Sequence, residues 1–300
     1  MTAAGLKTGL LAMLAGTLGQ VPLRWLHAAA VPAAWLLGKL PWSKHRVVER
    51  NLSACFPELT EPDRRRLAAA QRIELLRLAS ELGALARWPG ERLSAHLPAV
   101  EGWECVESAL QHGRGVLMVT GHLGNWEILN LELSRRLDMV TLYRAPDDPA
   151  LDRFISRARS RFGGRVVASG GAAMRQLLRQ LKAGGAVGIA ADIQPKQGDG
   201  VFVPFMGVPA LTMTLVHRLS RKTGCAVIFC CALRLPAGQG WRLDFQPAPD
   251  RLHDPDPARA LLAMNDWLST AIRTAPEQYL WIYKRFSKRP EPGPRFYPKT

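Results

Sequence analysis

Apolar residues at the start of the chain form two runs separated by a short polar break. Residues 9–19 are apolar, residues 20–24 interrupt them, and residues 25–40 are apolar again apart from His27 and Lys39. Neither run reaches the ~20 consecutive apolar residues that a helix needs to span a bilayer. The pattern predicts helices in this segment, and it leaves open what covers their apolar surface.

Three interpretations of these apolar runs are open. A helix dipped into or through a membrane would place Trp25, Trp35 and Trp42 at the level of the lipid headgroups. A signal peptide would use Lys7, a short apolar core and a cleavage site at residues 28–30. Two alanine-rich helices in the core of a soluble protein are the third interpretation. We expect the first of these, a membrane-associated helix.

The pattern divides the chain into a membrane anchor at residues 1–40 and one α/β domain at residues 41–300. A long helical pattern covers residues 61–87, and strands alternate with helices from Gly113 onward. The predicted strands are 116–120, 139–143, 165–168, 186–191, 226–235 and 242–246. The predicted helices are 105–112, 126–137, 151–162, 172–182, 212–223 and 257–274. This alternation predicts a mixed, largely parallel sheet flanked by helices, with residues 281–300 wrapped around the surface.

Charge and cysteine content narrow the classes of partner. Forty Lys and Arg against twenty-five Asp and Glu leave a net charge of +15, and residues 153–182 hold eight basic residues and no acidic one. Nucleic acid, acidic phospholipid, phosphorylated small molecules and acidic carrier proteins therefore all fit, although nucleic acid has no motif behind it. The five cysteines lack C-x-x-C spacing, which disfavours zinc or a disulfide framework and favours a reducing compartment.

One segment carries candidate chemistry, residues 119–127 with the sequence VTGHLGNWE. A buried strand ends there, glycines allow a tight turn, and a helix opens at about Gly124 or Asn125. Ligands of α/β folds usually bind at this edge of the sheet. With His122 in the turn, Glu127 can face it, accept its imidazole N–H and leave the other nitrogen as a general base. The alternative is that Glu127 only satisfies the helix start and His122 is only a polar turn residue.

Residues 121–127 resemble the H-x4-[DE] motif of the lysophospholipid and glycerol-phosphate acyltransferase superfamily. More narrowly, they resemble the late acyltransferases of lipid A biosynthesis. The other blocks that resemble this narrower family follow in chain order: residues 46–57, residues 142–146, Asp192 with residues 200–207, and residues 276–286. The third block departs from the usual Asp-Gln pair, because Ile193 separates Asp192 from Gln194. The resemblance extends from about residue 5 to residue 298.

The resemblance implies a glycerol-phosphate acyltransferase-like fold and a lipopolysaccharide biosynthetic enzyme. Such an enzyme moves a fatty acyl chain from an acyl carrier protein thioester to a hydroxyl of a phosphorylated glucosamine-disaccharide lipid. The implied mechanism uses His122 as general base oriented by Glu127, with no covalent intermediate, no metal and no cofactor besides the donor. Coenzyme A stays open as an alternative donor. The implied location is the inner membrane, with the catalytic domain on its cytoplasmic face.

The same resemblance and the local excess of arginine select four substrate-binding residues. Arg144 and Arg159 are expected to contact phosphate or the oxyanion, because arginine binds phosphate with a bidentate fork. Asp192 and Asn125 complete the set. Amides at the helix start after Gly124 are further oxyanion donors, and an apolar groove for the acyl chain is expected beside the histidine.

Two other functions stay open at this point. A related acyltransferase acting on another glycolipid, a lysophospholipid or an amino-acid lipid would share the pair and the anchor. A non-catalytic lipid-binding membrane protein would keep the fold, but an intact His122 and Glu127 argue against it.

Overall fold

The computed structural model describes residues 3–196, 198–291 and 293–297. Its helices are α1 (Ala3–Gln20), α2 (Leu23–Gly38), α3 (Lys44–Cys55), α4 (Glu61–Ser80), α5 (Leu82–Arg87), α6 (Gly90–Ala95), α7 (Trp103–Gln111), α8 (Trp126–Arg136), α9 (Pro149–Ser160), α10 (Ala173–Lys182), α11 (Leu215–Thr223) and α12 (Pro257–Thr274). Its strands are β1 (Ala99–Glu101), β2 (Val116–Thr120), β3 (Met139–Tyr143), β4 (Arg165–Ala168), β5 (Ala186–Ala190), β6 (Gly200–Phe205), β7 (Val208–Met213), β8 (Ala226–Arg234) and β9 (Trp241–Pro247).

The central sheet is mixed and largely parallel, as predicted. Its strand order within the described residues is β1-β9-β8-β2-β5-β3-β4, and β8 with β9 is its antiparallel pair. Strands β2, β5 and β8 are buried almost throughout, which fits their apolar sequences because helices cover both faces of such a sheet. The carboxyl ends of β2, β5 and β3 lie side by side, so loops that leave these strands meet at one edge.

Several predicted elements need correction. The pattern missed β1 and the β6–β7 hairpin, whose strands pair from Gly200 with Met213 to Phe205 with Val208. The helix predicted over residues 61–87 breaks between α4 and α5. The break falls at Glu81, whose side chain is almost wholly buried and paired with polar partners. A buried carboxylate must be satisfied, and this requirement overrides the helical periodicity.

Helices α1 and α2 lie against the α/β domain. The indole Nε1 of Trp88 donates to the carbonyl of Gly19 at 3.0 Å, and Leu23, Ala30 and Ala34 of α2 are buried. Within the part of the chain that the structure describes, no helix is both long enough and apolar enough to cross a membrane. The predicted membrane helix is therefore not confirmed, and the division at residue 40 stays a prediction.

The C-terminal stretch enters the core more than was predicted. Trp281, Arg285 and Phe286 are buried, so the expectation that this stretch wraps the surface is wrong for them. The side chain of Asn51, in α3, donates to the carbonyls of Trp281 and Tyr283 at 2.7 and 2.9 Å. These bonds tie the basic segment to the C-terminal stretch, of which residues 292 and 298–300 lie outside the described residues.

We expect Gly83→Ala to destabilise the protein, because a Cβ there would lie 2.2 Å from the backbone nitrogen of Gly19. Overpacking of this kind typically costs about 1–3 kcal/mol. Gly9→Ala is the matched control, since a Cβ at that helical position meets nothing within 4 Å and alanine favours helix. Denaturant unfolding of both variants measures the difference. Equal stabilities would show that Gly83 of α5 does not lie against Gly19 of α1.

Candidate active site

The turn between β2 and α8 is fixed by backbone contacts on two sides. The amide of Asn125 donates to the carbonyl of Ala232 at 2.8 Å, and the amide of Leu280 donates to the carbonyl of His122 at 3.0 Å. Gly124 has a φ of 63°, and a Cβ there would lie 1.9 Å from the Ala232 oxygen. Only glycine fits this close approach, so the sequence of the turn determines the position of His122.

His122 is paired with Asp192. The imidazole Nδ1 lies 2.8 Å from the carboxylate Oδ1, and the His122 backbone amide donates to Oδ2 at 2.7 Å. Because a carboxylate only accepts, Nδ1 carries the hydrogen and Nε2 is left to take a proton. The imidazole is 22% exposed and the Asp192 side chain 3%, so the base is accessible and its partner is not.

The charges of this pair reinforce each other. Burial disfavours the imidazolium, yet the charge and hydrogen bond of Asp192, with the charge of Glu127, raise the pKa of His122 above its ordinary value. Burial also disfavours the charged form of Asp192, but its contact with His122 holds the pKa of that carboxyl below its ordinary value. Tyr279 supports the carboxylate with its buried hydroxyl, and Arg285 adds a nearby positive charge. The pair is built to hold an ionised aspartate against an imidazole that gains a proton.

Glu127 has a different partner from the one predicted. Its carboxylate receives two bonds from the fork of Arg159, at 2.7 Å from Nε and 2.5 Å from Nη2, and a third from the indole of Trp126 at 3.1 Å. The predicted bond from the His122 imidazole to Glu127 is wrong, because Asp192 occupies that position. Glu127 still lies close enough for its charge to act on His122.

The predicted substrate contacts change in consequence. Arg159 lines the cavity, but its Nε and Nη2 bond Glu127. A contact between Arg159 and phosphate therefore stays a prediction, and it would have to use Nη1. Asp192 does not line the cavity and acts on His122. Asn125 is 2% exposed; its side-chain oxygen caps α8 at the amides of residues 127 and 128, and its amide group donates to Glu81. The predicted substrate-binding roles of Asp192 and Asn125 are therefore replaced by internal ones.

Four of the amides at the helix start, proposed as oxyanion donors, already have partners. The amide of Gly124 donates to the carbonyl of Gln278 and that of Asn125 to the carbonyl of Ala232, while the amides of Glu127 and Ile128 donate to the Asn125 side chain. Arg144 differs from these groups. It is exposed, it lines the cavity, and no ion pair is recorded for it among the described residues. Arg144 is thus the predicted anion-binding residue whose guanidinium is free to meet a ligand.

An apolar cavity of about 150 Å³ opens beside His122, between α8 and strands β2, β3 and β5. About half of its lining residues carry aliphatic or sulfur-containing side chains, and His122, Glu127, Arg144 and Arg159 are among its polar lining residues. The apolar lining comprises Met118, Trp126, Leu129, Leu133, Met139, Leu142, Ile189, Ala190, Ile193 and Cys230. The groove expected beside the histidine is therefore present. Within the described residues, no group of three or more His, Cys, Asp or Glu side chains converges on a metal position.

A histidine whose Nε2 can accept a proton, next to an apolar cavity, offers two things that acyl transfer to a hydroxyl needs, a proton acceptor and a space for the chain. The family model described as bacterial lipid A biosynthesis acyltransferase matches residues 6–288. The chain is thus an acyltransferase.

Named relatives agree with this class. The chain is 28% identical to the lipid A biosynthesis lauroyltransferase of Escherichia coli (strain K12), over 92% of this chain and 96% of the relative. It is 29% identical to the palmitoleoyltransferase of the same strain, over 90% and 93%, and 25% identical to its myristoyltransferase, over 85% and 79%. The chain belongs to the bacterial lipid A biosynthesis acyltransferase family.

Two features of the site escaped the sequence pattern. The pairing of Asp192 with His122 had an available signal, because Asp192 follows β5 and β5 neighbours β2 in the sheet. The pairing of Glu127 with Arg159 had none, since their contact depends on how α9 packs beside α8.

Asp192→Asn should shift the pH dependence of acyl transfer. Because Asp192 raises the pKa of His122, the neutral base forms only as pH rises through that raised pKa. Removing the charge lowers the pKa, so the acid limb of kcat/KM should shift to lower pH while the maximum falls. NMR titration of the imidazole should show the same shift. Glu127→Gln, which makes no bond to the ring, is the control and should shift it less; a larger shift in that variant would contradict the assignment.

Proposed function

We propose that this protein transfers a fatty acyl chain from an acyl carrier protein thioester to a hydroxyl of a phosphorylated glucosamine-disaccharide lipid, a lipid A precursor. The observation that carries the proposal is His122, paired with the buried Asp192 and lining a largely apolar cavity. Membership of the family supports the substrate class, and the relatives, which are lipid A biosynthesis acyltransferases, suggest the lipid A acceptor.

His122 acts through Nε2 as the general base. The acceptor hydroxyl loses its proton to Nε2 as its oxygen attacks the thioester carbonyl carbon. The new ester C–O bond forms, the C–S bond breaks, and the leaving thiolate takes the proton back from the imidazolium. Asp192 stabilises the imidazolium between these steps, and a positioned base of this kind contributes roughly 10²–10⁴-fold.

The thioester is already activated, so no acyl-enzyme is needed. Burial raises the pKa of Cys230 well above its ordinary value, which leaves that cavity thiol a poor nucleophile.

Arg144 binds the anion. It is exposed at the cavity on the loop that follows β3, where a phosphate of the acceptor or the developing oxyanion can reach it. Arg159 contributes indirectly, since its fork neutralises Glu127 and keeps a second full negative charge away from the reacting carbonyl.

The acyl chain lies between α8 and the sheet, along side chains of β2, β3 and β5. Burying each methylene contributes about 0.8 kcal/mol, so a chain of roughly a dozen carbons can anchor the donor. Met139 narrows this space at Gly188, where a Cβ would lie 2.5 Å from the Cε of Met139. The relatives are named for three different acyl groups, so chain length depends on such details of the wall.

The protein rests on the cytoplasmic face of the inner membrane through α1 and α2. Among the residues described, nearly all exposed large apolar side chains lie between Leu10 and Trp42, and only Leu151 and Leu262 lie elsewhere. Lys7 pairs with Asp148 at 3.3 Å, on the loop that begins at Arg144, so this apolar surface adjoins the cavity mouth. Lipid substrates can then reach the site without crossing water.

Arg144→Ala should reduce transfer to the phosphorylated acceptor more steeply than transfer to its dephosphorylated analogue. A charge-assisted contact is worth about 1.5–3 kcal/mol, so a selective loss of roughly 10- to 100-fold follows. Arg144→Lys should recover part of it, because a point charge replaces the fork. Initial rates with carrier-protein thioester measure this, with His122→Ala as the background and Arg221→Ala, on the exposed end of α11, as the matched control.

Other outcomes of that assay would contradict the proposal. Equal losses on both acceptors would remove the phosphate role of Arg144. Transfer to a lysophospholipid, with none to the disaccharide lipid, would overturn the acceptor and leave the chemistry. Equal rates with coenzyme A thioester would overturn the choice of donor.

Trp25→Ser combined with Trp35→Ser should weaken binding of the full chain to phosphatidylglycerol vesicles. Both side chains are about three-fifths exposed, and burial of a large apolar side chain is worth roughly 1.5–3 kcal/mol, or about tenfold or more each. Sedimentation with vesicles measures the change. Leu262→Ser, on α12, is the control and should bind like the unaltered chain. Unchanged binding in the double variant would show that this surface does not meet lipid.

A further inference from the structure

Behind the catalytic turn lies a buried polar cluster made of His27, Glu74, Glu81, Asn125 and Arg234, which we name the rear cluster. Glu81 is its centre. Its carboxylate accepts from Arg234 at 2.5 and 2.7 Å, from Asn125 at 2.6 Å, and contacts the His27 ring nitrogen Nε2 at 2.7 Å. None of these groups takes part in the chemistry proposed above, and the members are buried.

We propose that Glu81 is a positioning residue that ties the catalytic turn to helix α2, so that the seating of α2 sets the geometry of His122. The rate readouts below rest on the proposed function, whereas the exchange readout does not. The observation that carries the proposal is that His27 of α2 and Asn125 of the turn each contact a different oxygen of the buried Glu81 carboxylate.

Asn125 is the link on the catalytic side. One end of its amide caps α8 at the amides of Glu127 and Ile128, and the other end donates to Glu81. A cap whose side chain is held at both ends has one orientation. That orientation fixes the first turn of α8, which carries Glu127, and the peptide bonds that follow His122.

Arg234 supplies a second hold on the same turn. Its guanidinium bonds Glu81 and Glu74, and its backbone N–H and carbonyl are both paired with the side chain of Gln278. The carbonyl of Gln278 in turn accepts from the amide of Gly124 at 3.1 Å. Gly124 and Asn125 therefore both depend on partners of the rear cluster.

His27 is the link on the outer side. It is 2% exposed, although it belongs to the helix that exposes Trp25 and Trp35. Burying a histidine with a glutamate and an arginine is costly unless every partner is in place. Movement of α2 away from its seat would leave one Glu81 oxygen without His27, and the carboxylate could then turn from Asn125. The position of α2, and hence whatever surface α2 contacts, is thereby coupled to the position of His122.

Glu81→Gln is a poor test, because it leaves the buried Arg234 with Glu74 as its one remaining carboxylate partner and can unfold the chain. His27→Leu removes the hydrogen bond and keeps the volume, while His27→Gln retains a donor. Asn125→Ser keeps an α8 cap but is too short for Glu81. The matched control is His217→Leu on α11, because His217 is also buried and its Nε2 contacts one backbone carbonyl, that of Asp254, at 2.8 Å.

The full chain is assayed for kcat, KM, the acid limb of the pH profile and hydrogen exchange at the amides of residues 124–128. We expect His27→Leu and Asn125→Ser each to lower kcat about tenfold, with KM and the acid limb of the pH profile unchanged. Both variants should also speed hydrogen exchange at these amides. His27→Gln should recover most of the kcat and most of the protection from exchange. If the His27 and Asn125 variants match His217→Leu in kcat and exchange, the proposal is overturned. A chain that performs no acyl transfer refutes the proposed function, and the exchange comparison then decides the coupling alone.

Discussion

The close approach of Gly124 to the carbonyl of Ala232 is the constraint on which the site depends. It brings the loop after β2 against β8 with no room for a side chain, and it aligns the amide of Asn125 with the same carbonyl. From that contact follow the start of α8, the direction in which His122 leaves the sheet, and the position of the rear cluster behind the turn. A side chain at residue 124 would displace all three together.

Two carboxylates lie near His122, and the structure separates their tasks by giving each a different cationic partner. Asp192 is buried and faces the imidazole, so its charge is available to an incoming proton. Glu127 is neutralised by the fork of Arg159, so it shapes the wall and adds only a weaker field at the ring. If both carboxylates were free, they would repel the negative charge that develops on the carbonyl of a transferred acyl group.

The sequence predicted those parts of the fold that depend on local periodicity. Strands β2 to β5, β8 and β9, and the helices α8 to α12, fall close to their predicted positions, because each is a continuous apolar or amphipathic segment. The turn that carries His122 was predicted from its glycines. The choice of Asp192 over Glu127 depends on which strands become neighbours, and the break at Glu81 depends on Arg234, 153 residues further along the chain. Contacts of that range leave no periodic trace in the sequence.

The location of the cavity has a consequence for how such a protein diversifies. Its apolar walls are side chains of β2, β3, β5, β8 and α8, whereas Arg144 lies on a loop that leaves the sheet. With the acyl chain in the cavity and the acceptor at Arg144, as proposed, substitutions that change the bound hydrocarbon fall in strands and a helix, and substitutions that change the hydroxyl-bearing partner fall in a loop. The two selectivities can then change separately, each without disturbing His122.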